Sequence, residues 1–329
     1  MARKEWNHEP ESLPLTVNPL FTWPLDPQKI LAWYWGSWFP ISVNLVLVAL
    51  SYGIVIWTLP PLTAMASPGF WMVAIVLRNL VIAVLIAETL HTLFHRTSLQ
   101  GDDKKYDPRP FPRKGRVFTF GDQYLDNTFW ALASGVPIWS LFEILILWAM
   151  ATGWAPVWTW SDGWVWYLAV FFLIPSWQSF YFFWIHRLLH TNLLYRYHAL
   201  HHRNTDVGPW SGLSMHPIEH VLYFGTALIH FVVPSSPVHL ICHLLFFAVY
   251  PILTHTGFDG IWIAGRRRLK LGAFHHQLHH RFFEVNYGTL EVPWDKVFGT
   301  LHDGSEDGKA MMKERLKTRS RSVQDDKAS

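Results

Sequence analysis

Histidine is the residue type in this chain whose number and spacing invite chemistry: there are 19, most of them after position 185. His186-Arg187-Leu188-Leu189-His190 sets two imidazoles at i and i+4, on one face of a helix and a few ångströms apart. His198, His201 and His202 follow at i, i+3 and i+4, and His276, His279 and His280 repeat that spacing after His275. Between them stand His216, His220 and the isolated His255. Imidazole is the commonest metal ligand and suits zinc, copper, iron and nickel. One pair arises easily by chance, and a lone histidine on an apolar face is more often a hydrogen-bonded core residue. The set carries more weight, because eight or more imidazoles exceed the four ligands of a structural zinc site, so two ions are expected rather than one. The single cysteine, Cys242, excludes an intrachain disulfide and a Cys-built zinc or iron–sulfur site.

The elements that must position these residues are membrane helices. Half of the 329 residues are hydrophobic, 16% are aromatic and only 16% are charged, against about 25% charged in soluble domains. The 20 Trp, 23 Phe and 11 Tyr exceed what one aqueous core would hold and suit bilayer interfaces. Residues 41–60 carry no charge, and about twenty residues at 1.5 Å each match a hydrocarbon core of roughly 30 Å. Further spans are expected over Phe70–Leu90, Asn127–Ala151 and Trp164–Ile185. Arg78, Glu88 and Glu143 should turn into the bundle or toward an interface, because facing lipid is costly. The 60–69 and 152–163 connections lack Lys and Arg, whereas 96–116 carries Arg96, Lys104, Lys105, Arg109, Arg113, Lys114 and Arg116. That loop is therefore expected on the cytoplasmic side, with Arg3, Lys4 and everything after Ile185.

Two apolar runs, Val221–Val233 and Val238–Thr254, are joined by Pro234-Ser235-Ser236-Pro237. The first is only about 20 Å long as a helix, so a hairpin that dips into the membrane and returns is expected, with two tilted spans as the alternative. Both its ends then lie on one face, and the three histidine clusters converge at the cytoplasmic ends of the helices by an argument that never used them. A redox metal pair at a lipid boundary is placed to act on an apolar substrate. The net charge of +3 is too small to suggest a nucleic-acid partner.

In order and spacing these blocks resemble the fatty acid hydroxylase and sterol desaturase superfamily of membrane, non-haem di-iron oxygenases. The resemblance runs from about Trp184 to Thr300: Trp184 to His190, His198-x-x-His201-His202, Met215-His216-Pro217-Ile218-Glu219, His255-Thr256-Gly257, His275-His276-x-x-His279-His280, Asn286-Tyr287-Gly288, Trp294-Asp295 and Phe298-Gly299-Thr300. The His216-Pro217-Ile218-Glu219 and His255-Thr256-Gly257 blocks are similar to the sterol C5-desaturase branch. The resemblance implies two iron ions, O2 as co-substrate and two external electrons, together taking hydrogen from an unactivated C–H bond to leave a hydroxyl or a double bond. Zinc can replace iron in a purified protein. The implied ligands are His186, His190, His198, His201, His202, His216, His255, His276, His279 and His280. His220 departs from the sterol branch; it and His275 are expected beside the ligands or as further ligands, and Asp295 is an expected carboxylate partner of a ligating imidazole. No separate acid or base is implied.

The expectation is thus an all-α integral membrane protein with about four transmembrane helices, a re-entrant hairpin and a cytoplasmic histidine-rich di-metal site. One domain should cover 1–303, its motif-bearing part about 163–303, followed by a polar tail without fixed structure over 304–329. A sterol-like substrate is favoured over fatty-acyl, sphingoid or alkylglycerol lipids, in a bacterial inner membrane or the endoplasmic reticulum. The chain shows no haem, flavin or iron–sulfur motif, so electrons should come from a cytochrome b5-like or ferredoxin-like protein. Arg266, Arg267, Arg268 and Lys270 would meet anionic headgroups or dock that carrier. His91 with His95, and His239 with His243, share the i, i+4 spacing, but the first pair reads as packing or substrate-channel residues and the second as core residues. The rival readings are a membrane haem protein using His230, His239 and His243, and a zinc-binding protein without C–H oxidation.

Overall fold

The computed structural model describes residues 6–36 and 44–315; Arg3, Lys4, the start of the 41–60 run and the tail from 316 onward lie outside them. The long apolar segments form helices, because in hydrocarbon a helix satisfies each backbone group within one segment. The first are α1 (Pro27–Gly36), α2 (Asn44–Thr58) and α3 (Phe70–His91), the last prolonged by a wider turn to Arg96. Then α4 (Gln123–Trp130) runs through Ala131–Gly135 into α5 (Val136–Thr152), followed by α6 (Trp164–Leu189) and α7 (Tyr195–His202). After these come α8 (Pro217–Phe224), α9 (Pro237–Thr254), an antiparallel ribbon of β1 (Ile261–Ile263) and β2 (Arg266–Leu269), α10 (Phe274–Phe282) and α11 (Trp294–Val297). Local sequence sets the ends. Asp122 opens α4 by accepting from the Leu125 amide at 2.9 Å, and Gly153 closes α5 with a left-handed φ of 81°. Pro237 sits in the first turn of α9, where its missing N–H costs nothing.

Four helical stretches among the described residues are long and apolar enough to cross a membrane: Phe70–Arg96, Gln123–Thr152, Trp164–Leu189 and Pro237–Thr254. The expected 41–60 span lies partly outside the described residues; within them it yields the 15 residues of α2, while the second arm of the hairpin is a helix of 18 residues. Outward faces of the long helices carry Leu77, Leu85, Leu141 and Phe172, all exposed, a surface suited to lipid rather than water.

The hairpin reaches deeper than its apolar length suggested. Its tip lies against the α5–α6 connection: the Ser235 amide donates to Pro156 O at 3.3 Å, the Trp158 amide to Ser235 O at 3.1 Å and Trp166 Nε1 to Pro234 O at 2.9 Å. That connection is at the end of the bundle opposite His186 and His190, which close α6. The reason is a change of helix type. After the 8 residues of α8 come 7 residues of 3₁₀ helix, Gly225–Phe231, which rise about 2.0 Å each instead of 1.5 Å. The descending arm thus covers roughly 26 Å, matching about 27 Å for α9. Parity is unchanged, and both ends of the hairpin stay with the histidines. Near the other terminus, residues 306–315, expected to lack fixed structure, form a helix. Arg315 anchors it by donating to Glu284 O at 2.8 Å and Gly299 O at 2.7 Å.

Inside the bundle, Arg78 of α3 pairs with Glu143 of α5, and Asn79 Nδ2 donates to Glu143 Oε2 at 3.1 Å and Ser140 Oγ at 3.2 Å. Glu88 accepts from Tyr124 Oη and Trp210 Nε1, each at 3.0 Å, and meets Arg96 at 2.7 Å. Both acids therefore turn inward, as their cost in lipid requires. Glu143→Leu alone should strand the Arg78 charge and cost about 3–5 kcal/mol, whereas adding Arg78→Leu should recover most of that loss. Unfolding of the variants in detergent micelles checks this, and equal losses in the single and double variants would contradict it.

Candidate metal centre

Three helix ends and one helix cap meet beyond the bundle. His186 lies in the last turn of α6 and His190 is its C-cap, His198, His201 and His202 come from α7, His276, His279 and His280 from α10, and His255 caps α9. Nine imidazoles gather in two groups, His186, His190, His198, His202 and His279 in one, and His201, His255, His276 and His280 in the other. In each group the ring nitrogens lie within 4.8 Å of one another, and seven of the nine residues are buried. Helix geometry makes the division. Neighbours on a helix point about 100° apart, so His201 and His202 diverge into different groups, and so do His279 and His280.

Proton bookkeeping then tests whether these nitrogens suit a cation. In the second group, the Nε2 atoms of His255, His276 and His280 form a closed triangle with sides of 3.1, 3.1 and 3.2 Å. A neutral imidazole has one N–H, and a nitrogen that bears hydrogen has no lone pair left to accept with. No arrangement of protons can turn all three sides into hydrogen bonds. His255 is fixed further, since its Nδ1–H is spent on Pro251 O at 2.7 Å, leaving Nε2 bare. In the first group, His186 Nδ1 donates to Tyr287 O at 2.7 Å and His279 Nδ1 to Val285 O at 2.6 Å, so their Nε2 lone pairs also face inward. Other Nε2 separations there are 3.1 Å for His186 and His198, and 3.0 Å for both His190–His202 and His202–His279. Two nitrogens held by one ion at about 2.1 Å and at right angles would lie about 3.0 Å apart. The residues present fit two transition-metal ions with imidazole shells.

Burial keeps these rings in the neutral form that binds metal. Desolvation pushes His201 down to about 4 and holds His198, His202, His255, His276, His279 and His280 well below the usual imidazole range, neighbouring rings adding to the effect in the last six.

Four residues singled out in the sequence stand apart from both groups. His216 Nδ1 accepts from the Ile218 amide at 3.1 Å, which makes it the N-cap of α8. His220 has its two ring nitrogens against Ser134 Oγ at 2.8 Å and Leu213 O at 3.2 Å. His275 is buried behind His276 with Nε2 unpartnered. Asp295 meets no imidazole directly: it accepts from the Tyr287 amide at 2.9 Å, the Gly288 amide at 2.7 Å and Thr300 Oγ1 at 2.6 Å. The turn at 286–288 presents two N–H groups to that carboxylate, which therefore reaches His186 only through the Tyr287 carbonyl. The paired decoys are packing residues, with His95 Nε2 at 3.0 Å from Thr256 O and His239 Nε2 at 2.9 Å from Tyr167 O. His230 and His243, 3.1 Å apart, use their remaining nitrogens on Ser235 Oγ and Thr226 Oγ1, so none of these three suits a haem iron. Sequence reasoning missed Glu219, whose Oε1 lies 2.7 Å from His198 Nδ1. Its place in the His216-Pro217-Ile218-Glu219 block was the signal that could have found it.

Comparison with known proteins agrees with this centre. Residues 168–300 match the model of the fatty acid hydroxylase family. A Delta(7)-sterol-C5(6)-desaturase of Nicotiana tabacum is 33% identical over 152 residues, 44% of this chain and 53% of that protein. Lathosterol oxidase of Mus musculus is 32% identical over 148 residues, 42% and 48% of the two chains, and a Delta(7)-sterol 5(6)-desaturase of Gibberella zeae is 30% identical over 124 residues, 37% and 34%. The alignments span about half, or less, of the length of these curated relatives. No solved structure matches the chain. All nine converging imidazoles lie within the segment that matches the fatty acid hydroxylase family, and the relatives similar to that segment are named as sterol desaturases and a lathosterol oxidase.

Proposed function

We propose that this chain is a membrane-bound, O2-dependent di-iron oxidoreductase that desaturates or hydroxylates a sterol-like lipid. The observation that carries the reading is the closed triangle of His255, His276 and His280 nitrogens, which hydrogens cannot satisfy and a cation can. One ion is held by His186, His190, His198, His202 and His279, the other by His201, His255, His276 and His280. His216, capping α8, is left out of the set. Iron bound there supplies, with dioxygen, the oxidant that C–H cleavage needs and that no side chain offers.

The chain's own contribution is orientation and exclusion of water. The carbonyls of Tyr287, Val285 and Pro251 fix three rings in the tautomer that aims Nε2 inward. Asp295 fixes the first of those carbonyls in turn. The centre closes the ends of α6, α7, α9 and α10, so an apolar substrate approaches it from the bilayer. We place that end on the cytoplasmic side, from the cations of the 96–116 loop. Electrons come from an external carrier of the cytochrome b5 or ferredoxin kind, and the exposed Arg266 and Arg268 on β2 suit an acidic carrier or anionic headgroups. The Delta(7)-sterol relatives favour a sterol over other lipids.

Iron-loaded protein in nanodiscs, given reductant, O2 and a Delta(7)-sterol, should yield a product lacking two hydrogens or gaining one oxygen. Zinc-loaded protein and His279→Ala should yield none. Absence of product across sterol, fatty-acyl, sphingoid and alkylglycerol substrates would overturn the reading. Asp295→Asn turns an N–H toward the Gly288 amide and should cost about 1–3 kcal/mol, lowering iron retention along with it. Unfolding and metal analysis check this, and wild-type values of both would remove Asp295 from the account.

A further inference from the structure

Resting on the metal reading above, the geometry points to Glu219 as a positioning residue that makes the two histidine groups unequal, so that a divalent ion is held more tightly by the five-imidazole group than by the four-imidazole group. The inequality begins with what stands behind each ring. His186, His279 and His255 donate from Nδ1 to backbone carbonyls, and His201 Nδ1 lies 3.3 Å from Ser214 O, a long contact. One ring in each group, His202 in the first and His280 in the second, has a buried Nδ1 with no partner. Of the nine rings, His198 is the one whose Nδ1 meets a carboxylate, Glu219 Oε1 at 2.7 Å. A carboxylate behind an imidazole fixes the ring and raises its basicity more than a neutral carbonyl does. The first group thus has one more ligand and the only ionisable partner.

The fold builds this contact from one short helix. His216 caps α8 and Pro217 occupies its first turn, which fixes where the helix starts. Two residues on, Glu219 is buried, whereas Ile218 beside it is exposed. An acid in a first helical turn usually faces the chain's own amides, where the helix dipole favours negative charge. Here the side chain crosses to α7 instead, and its second oxygen, Oε2, stays buried with no hydrogen-bond partner. No neighbouring donor shares the carboxylate, so His198 takes all of its effect.

The test uses the full chain in detergent, with Zn2+ alone as probe, extracted by graded chelator while metal per chain is counted. Wild type should release two ions in two separate steps. Glu219→Gln keeps an oxygen for the His198 N–H but loses the carboxylate, so it should weaken the tighter step by roughly 10–100-fold and leave the weaker step unmoved. Unequal affinity is checked without touching Glu219: His280→Ala should keep the tighter step, and His202→Ala only the weaker one. A purely structural role for Glu219 would shift both steps together, and that result overturns the inference. So do wild-type steps in Glu219→Gln, or release of both wild-type ions in one step. A folded wild-type chain that holds no stoichiometric zinc would overturn the metal reading itself, and this inference with it.

Discussion

The constraint on which the structure turns is the confinement of unprotonated imidazole nitrogens in a dry space. Lone pairs about 3 Å apart repel one another, and in water each would be hydrated at no cost. Here nine rings are brought together by the ends of four helices, and burial denies them the proton that would otherwise relieve the crowding. Carbonyls and one carboxylate take up the N–H side of five of the rings, which leaves the other side committed to whatever sits between them. A cation answers that demand, and the rest of the fold can be understood as the scaffold that keeps the demand in place.

That scaffold is set by lengths and angles. Three long apolar helices and the hairpin, whose second arm is the fourth, carry the histidine-bearing ends to one side, and the hairpin reaches the opposite end by trading α-helical rise for the longer 3₁₀ rise over Gly225–Phe231. Consecutive histidines on α7 and α10 diverge by the helical step, so the same two helices serve both groups. Two adjacent ion sites with shared supports follow from that single angle. The turn at 286–288, held by Asp295, then closes the first group from outside.

Much of this was legible in the sequence because its signals are local. The histidine clusters, the apolar lengths of α3, α5 and α6, the inward turn of Arg78 and Glu143, and the packing role of His239 could all be read from spacing and cost. What was not legible depends on tertiary contact. His216 looked like a ligand, yet a histidine before proline at a helix start can also cap, and only the fold decides between them. Asp295 was placed one bond too close to the metal, because the turn amides that intercept it carry no side-chain signature. Carbonyl partners such as Tyr287, Val285 and Pro251 have no residue-type signal at all. The depth of the hairpin escaped a count at 1.5 Å per residue, which assumes one helix type throughout.

The central claim is that the nine imidazoles form two separate nitrogen shells rather than a hydrogen-bonded histidine core. X-ray absorption on zinc-loaded protein, with metal counted per chain, tests it most directly. The account predicts two ions per chain, each with four or five imidazole nitrogens at about 2.0–2.1 Å. A single ion, or shells made mainly of oxygen, would contradict it.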